Sequence, residues 1–114
     1  MLLIISLLLS GTIIYLTKRI INKERPYQNI DGIKSIKIGV DKYSFPSGHS
    51  SAAFTIGTIF SLFGSNYLIS IFFIILSALV AFSRIYLGVH YLTDTIAGSI
   101  IGALSSLVVY KIFI

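Results

Sequence analysis

The sequence predicts an all-α membrane protein, a four-transmembrane-helix bundle that forms a single domain over residues 1–114. Two observations lead to this prediction. Hydrophobic residues make up 55% of the chain, and the mean hydropathy of +0.92 lies above the range of ordinary soluble domains. The apolar residues are also gathered in four segments, each at or near the length that crosses about 30 Å of hydrocarbon. The predicted helices cover residues 1–24, 47–63, 67–83 and 91–113.

The first helix is predicted to be a membrane anchor. A cleaved signal peptide is the alternative for this segment, but no basic residue precedes Lys18 and there is no clear small-x-small cleavage pattern. The helix should end before Pro26, because the proline ring and its missing N–H do not fit a helix interior.

The segments between the helices differ in kind. Residues 26–45 form a polar connection that contains the turn signal Asp31-Gly32, and we expect it to lie along the membrane interface. The second and third helices are separated only by Gly64-Ser65-Asn66, which predicts a tight turn and antiparallel neighbours.

An up-down-up-down path would bring the unusual polar residues to one side of the membrane. From Tyr43 to Tyr110 the only residues with a full charge are Arg84 and Asp94. An ionisable group among membrane spans costs about 3 kcal/mol unless it is paired or lines a polar cavity. We therefore expect a functional site where the first and third helices end and the second and fourth begin. The polar residues at these ends are Lys18, Arg25, His49, Arg84, His90 and Asp94.

Basic residues at the end of the first helix suggest anion binding. Lys18 and Arg25 are seven residues apart, about two helical turns, so both project from one face if the helix continues. They could then hold one anion. Taken alone, the pair is explained better by basic side chains that extend from a membrane boundary into water.

The second helix begins with Pro46-Ser47-Gly48-His49. Backbone N–H groups at a helix start, together with a hydroxyl and a flexible glycine, readily bind phosphate. The alternative is an ordinary helix cap, in which Ser47 satisfies free N–H groups and Pro46 sets the entry of the chain. That alternative accounts for Ser47 but gives His49 no role.

The fourth helix begins with a histidine and an aspartate four residues apart, His90 and Asp94. Gly98 and Gly102 continue the same face, where small residues let neighbouring helices approach closely. A carboxylate bound to one imidazole nitrogen fixes the tautomer and leaves the other nitrogen free as a nucleophile. The alternative is a buried pair that only holds two helices together.

Composition narrows the chemistry. The chain has no cysteine, two histidines and four acidic residues, so disulfides and thiolate metal sites are excluded and we expect neither a metal nor a cofactor. The net charge is +5, with the basic residues clustered between Lys18 and Lys42. This charge favours an anionic partner such as a phosphate or a lipid headgroup. A nucleic acid is disfavoured, because these residues adjoin membrane spans and do not form a soluble face.

These motifs together resemble the three-part signature of the type-2 phosphatidic acid phosphatase superfamily. That superfamily includes bacterial lipid pyrophosphate phosphatases and the vanadium haloperoxidases. The three parts occur in order and at the family's internal spacings over residues 18–94. They are Lys18 with Arg25-Pro26, then Pro46-Ser47-Gly48-His49, then Ser83-Arg84 with His90 and Asp94.

The resemblance implies an integral membrane phosphatase that needs no metal. His90 would attack phosphorus and form a phosphohistidine, Asp94 would orient it, and His49 would protonate the leaving oxygen and later activate water. Ser83 would have a secondary role at the phosphate. The substrate would be a lipid phosphate or pyrophosphate of the phosphatidate, phosphatidylglycerophosphate or undecaprenyl pyrophosphate type. The phosphoryl oxygens would be held by Lys18, Arg25, Ser47, Gly48 and Arg84.

The chain also departs from the family pattern. Membrane members of the family usually have six transmembrane helices, and the four predicted here correspond to the last four. We expect either a minimal member, which a homo-oligomer could complete, or a piece of a longer protein. The alternative to an enzyme is an inactive truncated member that binds anionic lipid or has a structural role. A haloperoxidase is disfavoured, because the known ones are soluble.

The orientation in the cell membrane is predicted differently by charge and by family. The positive-inside rule places the motif side in the cytoplasm, whereas many bacterial relatives work on the outer leaflet. We follow the family and expect an extracytoplasmic active site. Beyond the presumed site residues, the motif side carries Arg19, Lys23, Lys34, Lys37 and Lys42, against Lys111 on the other side.

Overall fold

The computed structural model describes residues 1–21, 45–64, 66–87 and 90–114. These residues contain four α-helices, which confirms the predicted all-helical bundle. They are α1 (Leu2–Ile21), α2 (Gly48–Phe63), α3 (Tyr67–Tyr86) and α4 (Leu92–Phe113). Several predictions concern residues outside these ranges: the role of Arg25, the end of the first helix near Pro26, most of the connection 26–45, and Ser65 in the turn.

In this part of the chain, three helices are long and apolar enough to cross a membrane. α1 and α3 have 20 residues each and α4 has 22, and at 1.5 Å per residue they are about 30 Å long or slightly more. α2 has 16 residues, or about 24 Å. This shorter helix packs against α1, α3 and α4, whereas α1 packs against α2 and α4 and α3 packs mainly against α2. α2 is therefore the central helix of the bundle.

Contacts along α2 establish the topology. Thr55 lies in the middle of α2 and its hydroxyl donates to Ser10 of α1 over 3.1 Å, while Gly48 at the start of α2 lies beside Ile14, nearer the end of α1. The two helices are thus antiparallel. α2 and α3 are also antiparallel, since Ser61 hydrogen-bonds Ser70 and Ala53 accepts a hydrogen bond from Ser77.

α4 is parallel to α2. The amide of Ser47, just before α2, donates to the carbonyl of Asp94 near the start of α4, and the hydroxyl of Ser106, three turns later, donates to the carbonyl of Thr55. The ends of α1 and α3 and the starts of α2 and α4 therefore lie at the same end of the bundle, which we call the site end.

The interior of the bundle is made of small and hydroxyl-bearing residues. Of the described residues, only Ile14, Ile59 and Val109 are buried and hydrophobic, whereas most large apolar side chains are exposed. In a membrane this is the expected pattern, because lipid covers the outer apolar surface and small residues let helices approach. Buried hydroxyls bond to backbone carbonyls, as Ser77 does with Phe73 and Ala53. Close packing therefore positions the site end.

Candidate active site

The start of α2 is a capped helix terminus. Ser47 is the N-cap, and its hydroxyl oxygen accepts a hydrogen bond from the amide of Ser50 over 3.2 Å. The same hydroxyl donates to the Ser50 hydroxyl over 2.9 Å, and both side chains are fully buried. The Ser47 hydroxyl thus has the capping geometry foreseen as the alternative to phosphate binding. The positive end of the helix dipole remains directed to the site end.

The histidine and aspartate of the third motif lie together and are buried. Nδ1 of His90 is 3.6 Å from Oδ2 of Asp94, and the two side chains are 2% and 0% exposed. His90 lies two residues before α4, which begins at Leu92. The pair is therefore formed across the turn into the helix and not by stacking on a helical face. Since Nδ1 faces the carboxylate, Nε2 is the nitrogen that can act on a substrate.

The Asp94 carboxylate is held by the backbone next to His90. The amide of Tyr91 donates to Oδ2 of Asp94 over 2.7 Å, and the amide of Asp94 donates to the Tyr91 carbonyl over 3.1 Å. The same carboxylate oxygen that faces His90 is therefore fixed by a main-chain donor. This role of Tyr91 was not predicted from the sequence. An acidic residue three positions after a helix N-cap is the signal that could have indicated it.

A backbone hydrogen bond joins the second and third motifs. The amide of Ser47 donates to the carbonyl of Asp94 over 3.0 Å. One turn along α4, Gly98 is buried directly against the backbone of Ser47. The His90–Asp94 pair and the start of α2 are therefore parts of one rigid contact between helices.

The basic residues of the site reach it from two other helices. Lys18, in the last turn of α1, is 8% exposed and lies on the buried face of α1 with Ile14, which contacts Gly48. Arg84 is in the last turn of α3, and its Nε atom is buried. The antiparallel pairing of α2 and α3 places this turn at the level where α2 begins. Two cations and a helix N-terminus thus gather at the site end, an arrangement suited to an anion.

The remaining predicted residues occupy less central positions. His49 lies in the first turn of α2 and is exposed. The hydroxyl of Ser83 donates to the carbonyl of Val80 over 2.6 Å within α3, so a contact with phosphate stays a prediction. Among the described residues, no three His, Cys, Asp or Glu side chains are grouped so as to hold a metal ion, and metal independence also stays a prediction.

Comparisons with known proteins agree with this geometry. The family model described as the PAP2 superfamily matches residues 1–114. The chain is 32% identical over 101 residues to a protein from Sulfolobus acidocaldarius named undecaprenyl-diphosphatase, and this match covers 89% of the chain and 48% of that protein. The chain spans about half the length of this relative, and between 31% and 41% of three other curated relatives.

Two solved structures have the same fold. The crystal structure of Aquifex aeolicus LpxE superposes with a TM-score of 0.89 at 29% sequence identity, covering 96% of this chain and 66% of that one. The transmembrane PAP2-type phosphatidylglycerolphosphate phosphatase from Bacillus subtilis superposes with a TM-score of 0.83 at 26% identity, covering 97% of this chain and 57% of that one. The four helices thus share their arrangement with membrane phosphatases.

Proposed function

This chain belongs to the PAP2 superfamily, and from that membership and the geometry of its site we propose that it hydrolyses a lipid phosphate or a lipid pyrophosphate in the membrane. The observation that carries the proposal is the buried His90–Asp94 pair, hydrogen-bonded through the Asp94 backbone to the start of α2. In this proposal His90 is the nucleophile, and Lys18, Arg84 and the start of α2 at the same end of the bundle hold the phosphate. Phosphoryl transfer needs these two components in a fixed arrangement.

The first half of the reaction forms a phosphohistidine. Nε2 of His90 attacks phosphorus as the bond between phosphorus and the leaving oxygen breaks, and the electron pair of that bond stays on the oxygen. His49 protonates this oxygen, so that the leaving group departs as a neutral lipid alcohol or, from a pyrophosphate, as a lipid monophosphate with one negative charge fewer. Asp94 holds the ring and stabilises the positive charge that develops on it.

The second half releases inorganic phosphate. A water molecule attacks the phosphohistidine, His49 takes a proton from the water, and the bond between phosphorus and Nε2 breaks, which restores His90. During both steps the charge on the phosphoryl oxygens is balanced by Lys18, Arg84 and the N–H group of Gly48 at the start of α2, while the Ser47 N–H stays bonded to the Asp94 carbonyl. Arg25, outside the described residues, is proposed to add a third cation. Protein cations would thus take the part that magnesium has in kinases.

The surface beside the site suits a lipid tail. An apolar groove of about 370 Å³ opens between the site-side halves of α3 and α4, with Phe54 of α2 at its base. Leu92 and Thr95, which line one end of the groove, flank Asp94 in the sequence. We propose that an acyl or prenyl chain reaches the site sideways from the bilayer. The relatives named for undecaprenyl diphosphate and phosphatidylglycerolphosphate support this substrate class without selecting one member.

The proposal is tested by phosphate release from the purified chain in detergent with EDTA present. The substrates are phosphatidate, phosphatidylglycerophosphate and undecaprenyl pyrophosphate, and His90→Ala is compared with Thr12→Ala, whose hydroxyl is exposed and bonds only within α1 in the described structure. We expect release by the parent and by Thr12→Ala, and none by His90→Ala. Release by His90→Ala at the parental rate would contradict the role of His90. A folded parent that binds these lipids but releases no phosphate would instead indicate an inactive, lipid-binding member.

A further inference from the structure

We propose that Gly98 is a positioning residue, whose missing side chain sets the distance between the His90–Asp94 pair and the start of α2. This inference rests on the proposed function, because it concerns the geometry of the same reaction. Gly98 lies one helical turn after Asp94 on the buried face of α4. It lies against the backbone of Ser47, the residue that caps α2.

The contact at Gly98 is with main-chain atoms. A Cβ atom built on Gly98 would meet the carbonyl oxygen of Ser47 too closely for any real contact, and would lie 3.1 Å from the Ser47 carbonyl carbon and 3.2 Å from its nitrogen. A flexible side chain could rotate away from a methyl group, but a helix N-cap cannot. Ser47 is further fixed by its bonds with Ser50. Any side chain at position 98 must therefore push the two helices apart.

The separation would act on the reacting groups directly. The hydrogen bond from the Ser47 amide to the Asp94 carbonyl, 3.0 Å long, belongs to the same contact, and Oδ2 of Asp94 in turn faces His90. Moving α4 outward would draw the imidazole away from a phosphate held at the start of α2. A displacement of about 1 Å from the productive geometry can cost about 100-fold in rate. Binding of the phosphate by Lys18 and Arg84, which lie on other helices, would change less.

Two other glycines, Gly11 and Gly57, provide matched controls for the same substitution, and a third, Gly102, lies at the same interface as Gly98. A Cβ on Gly11 of α1 would meet nothing within 4 Å. One on Gly57 of α2 would clash with the Ser77 hydroxyl and lie 3.1 Å from the Phe73 carbonyl oxygen, at the interface with α3. Gly102, one turn deeper than Gly98, faces the carbonyl of Ser51 and the hydroxyl of Thr55. Gly11 tests the effect of helix propensity alone, Gly57 tests tight packing at another interface, and Gly102 tests the α2–α4 contact one turn away from Gly98.

The experiment compares Gly98→Ala, Gly57→Ala and Gly11→Ala by thermal unfolding in detergent and by kcat and KM for phosphate release. We expect Gly98→Ala to lower kcat of the folded fraction about 100-fold with KM changed less than kcat. Gly57→Ala should lower thermal stability with kcat near that of the parent, and Gly11→Ala should keep the parental kcat with thermal stability unchanged or slightly raised. Parental kcat in folded Gly98→Ala would overturn the inference, as would an equal loss of kcat in Gly57→Ala.

Two further outcomes are a Gly98→Ala variant that does not fold and a parent protein that is inactive. If Gly98→Ala does not fold, Gly102→Ala takes its place, since it spreads the same interface from one turn deeper. A smaller fall in kcat is then expected, and unchanged kcat in that folded variant would overturn the inference. If the parent protein releases no phosphate from any lipid, the proposed function is contradicted. This result is obtained from the parent alone and so is distinct from any result with the glycine variants.

Discussion

At the residue scale, the carboxylate of Asp94 is the group that the site depends on most. It faces Nδ1 of His90 at 3.6 Å and accepts the Tyr91 amide at 2.7 Å. A main-chain donor and an imidazole therefore share one carboxylate oxygen. The hydrogen bond from the Tyr91 amide holds the carboxylate in place, and a carboxylate that faces Nδ1 favours the tautomer with its proton on Nδ1.

Replacing this carboxylate by an amide should therefore harm catalysis more than binding. In Asp94→Asn the side chain keeps its shape but no longer stabilises a positive ring or selects the tautomer. We expect kcat to fall by about 10⁴-fold, the size of the effect known for the equivalent change in a hydrolase triad, with a much smaller change in KM. Steady-state phosphate release measures both. A large rise in KM with kcat preserved would instead indicate that Asp94 acts in binding.

Ser47 illustrates a residue whose two interpretations can be separated. Its hydroxyl caps α2 by accepting a hydrogen bond from the Ser50 amide. Replacing an N-cap hydroxyl residue by alanine costs about 1 kcal/mol of stability, whereas replacing it by glycine costs about a few tenths. We expect Ser47→Ala to lower the free energy of unfolding by about 1 kcal/mol, and Ser47→Gly to lower it less. In both variants kcat and KM of the folded enzyme should stay close to the parental values. A clear rise in KM in both would show that the hydroxyl itself holds phosphate.

At the scale of the helices, hydropathy predicts that the segments exist but not how they pack. The long apolar runs of α1, α3 and α4 are visible in the sequence because a membrane span has a required length. The central position of α2 is not visible there, since its neighbours are chosen by close backbone approach over long sequence separations. Gly57 against Ser77 and Gly98 against Ser47 are the contacts that determine it. Small residues in the sequence indicate where two helices can approach each other closely, but they do not show which helix is the neighbour.

The same limit applies to the site. The spacing of His90 and Asp94 predicts that the two side chains meet, and they do. The spacing predicted that the two side chains meet on one face of a helix, whereas in the structure they meet across the turn before α4. The bond from Ser47 to Asp94 uses backbone atoms that every residue has. No residue type indicates such a backbone hydrogen bond, and it could therefore be identified only from the structure.

The buried hydroxyls between α1, α2 and α4 should stabilise the bundle. Thr55 donates to Ser10 over 3.1 Å and to the carbonyl of Ser51 over 2.7 Å. Thr55→Val removes the hydroxyl and keeps the shape, and we expect it to lower the free energy of unfolding in detergent by about 1 kcal/mol. The control is Thr12→Val on the exposed face of α1, where, among the residues that the structure describes, the hydroxyl bonds only to the Leu8 carbonyl. Equal effects at both positions would show that the bond between helices contributes nothing of its own.

At the scale of the whole molecule, the orientation of the bundle decides which side of the membrane the site faces. All four helix termini that carry motif residues lie at the site end, so one measurement of orientation places the whole active site. The distribution of basic residues and the family resemblance predict opposite orientations. The basic residues near Lys18 favour a cytoplasmic site by the positive-inside rule, whereas the family resemblance led us to expect an extracytoplasmic site.

Labelling of single cysteines decides the orientation without background, because the chain contains no cysteine. Tyr86, at the site end of α3, is 82% exposed, and Ile114, beyond the opposite end of α4, is 72% exposed. Neither residue has a proposed role in catalysis. With an extracytoplasmic site, a membrane-impermeant thiol reagent added to intact cells should label Tyr86→Cys and spare Ile114→Cys. Permeabilised cells should give labelling of both variants. The reverse pattern in intact cells would place His90 in the cytoplasm, and the substrate would then have to be a lipid phosphate of the inner leaflet.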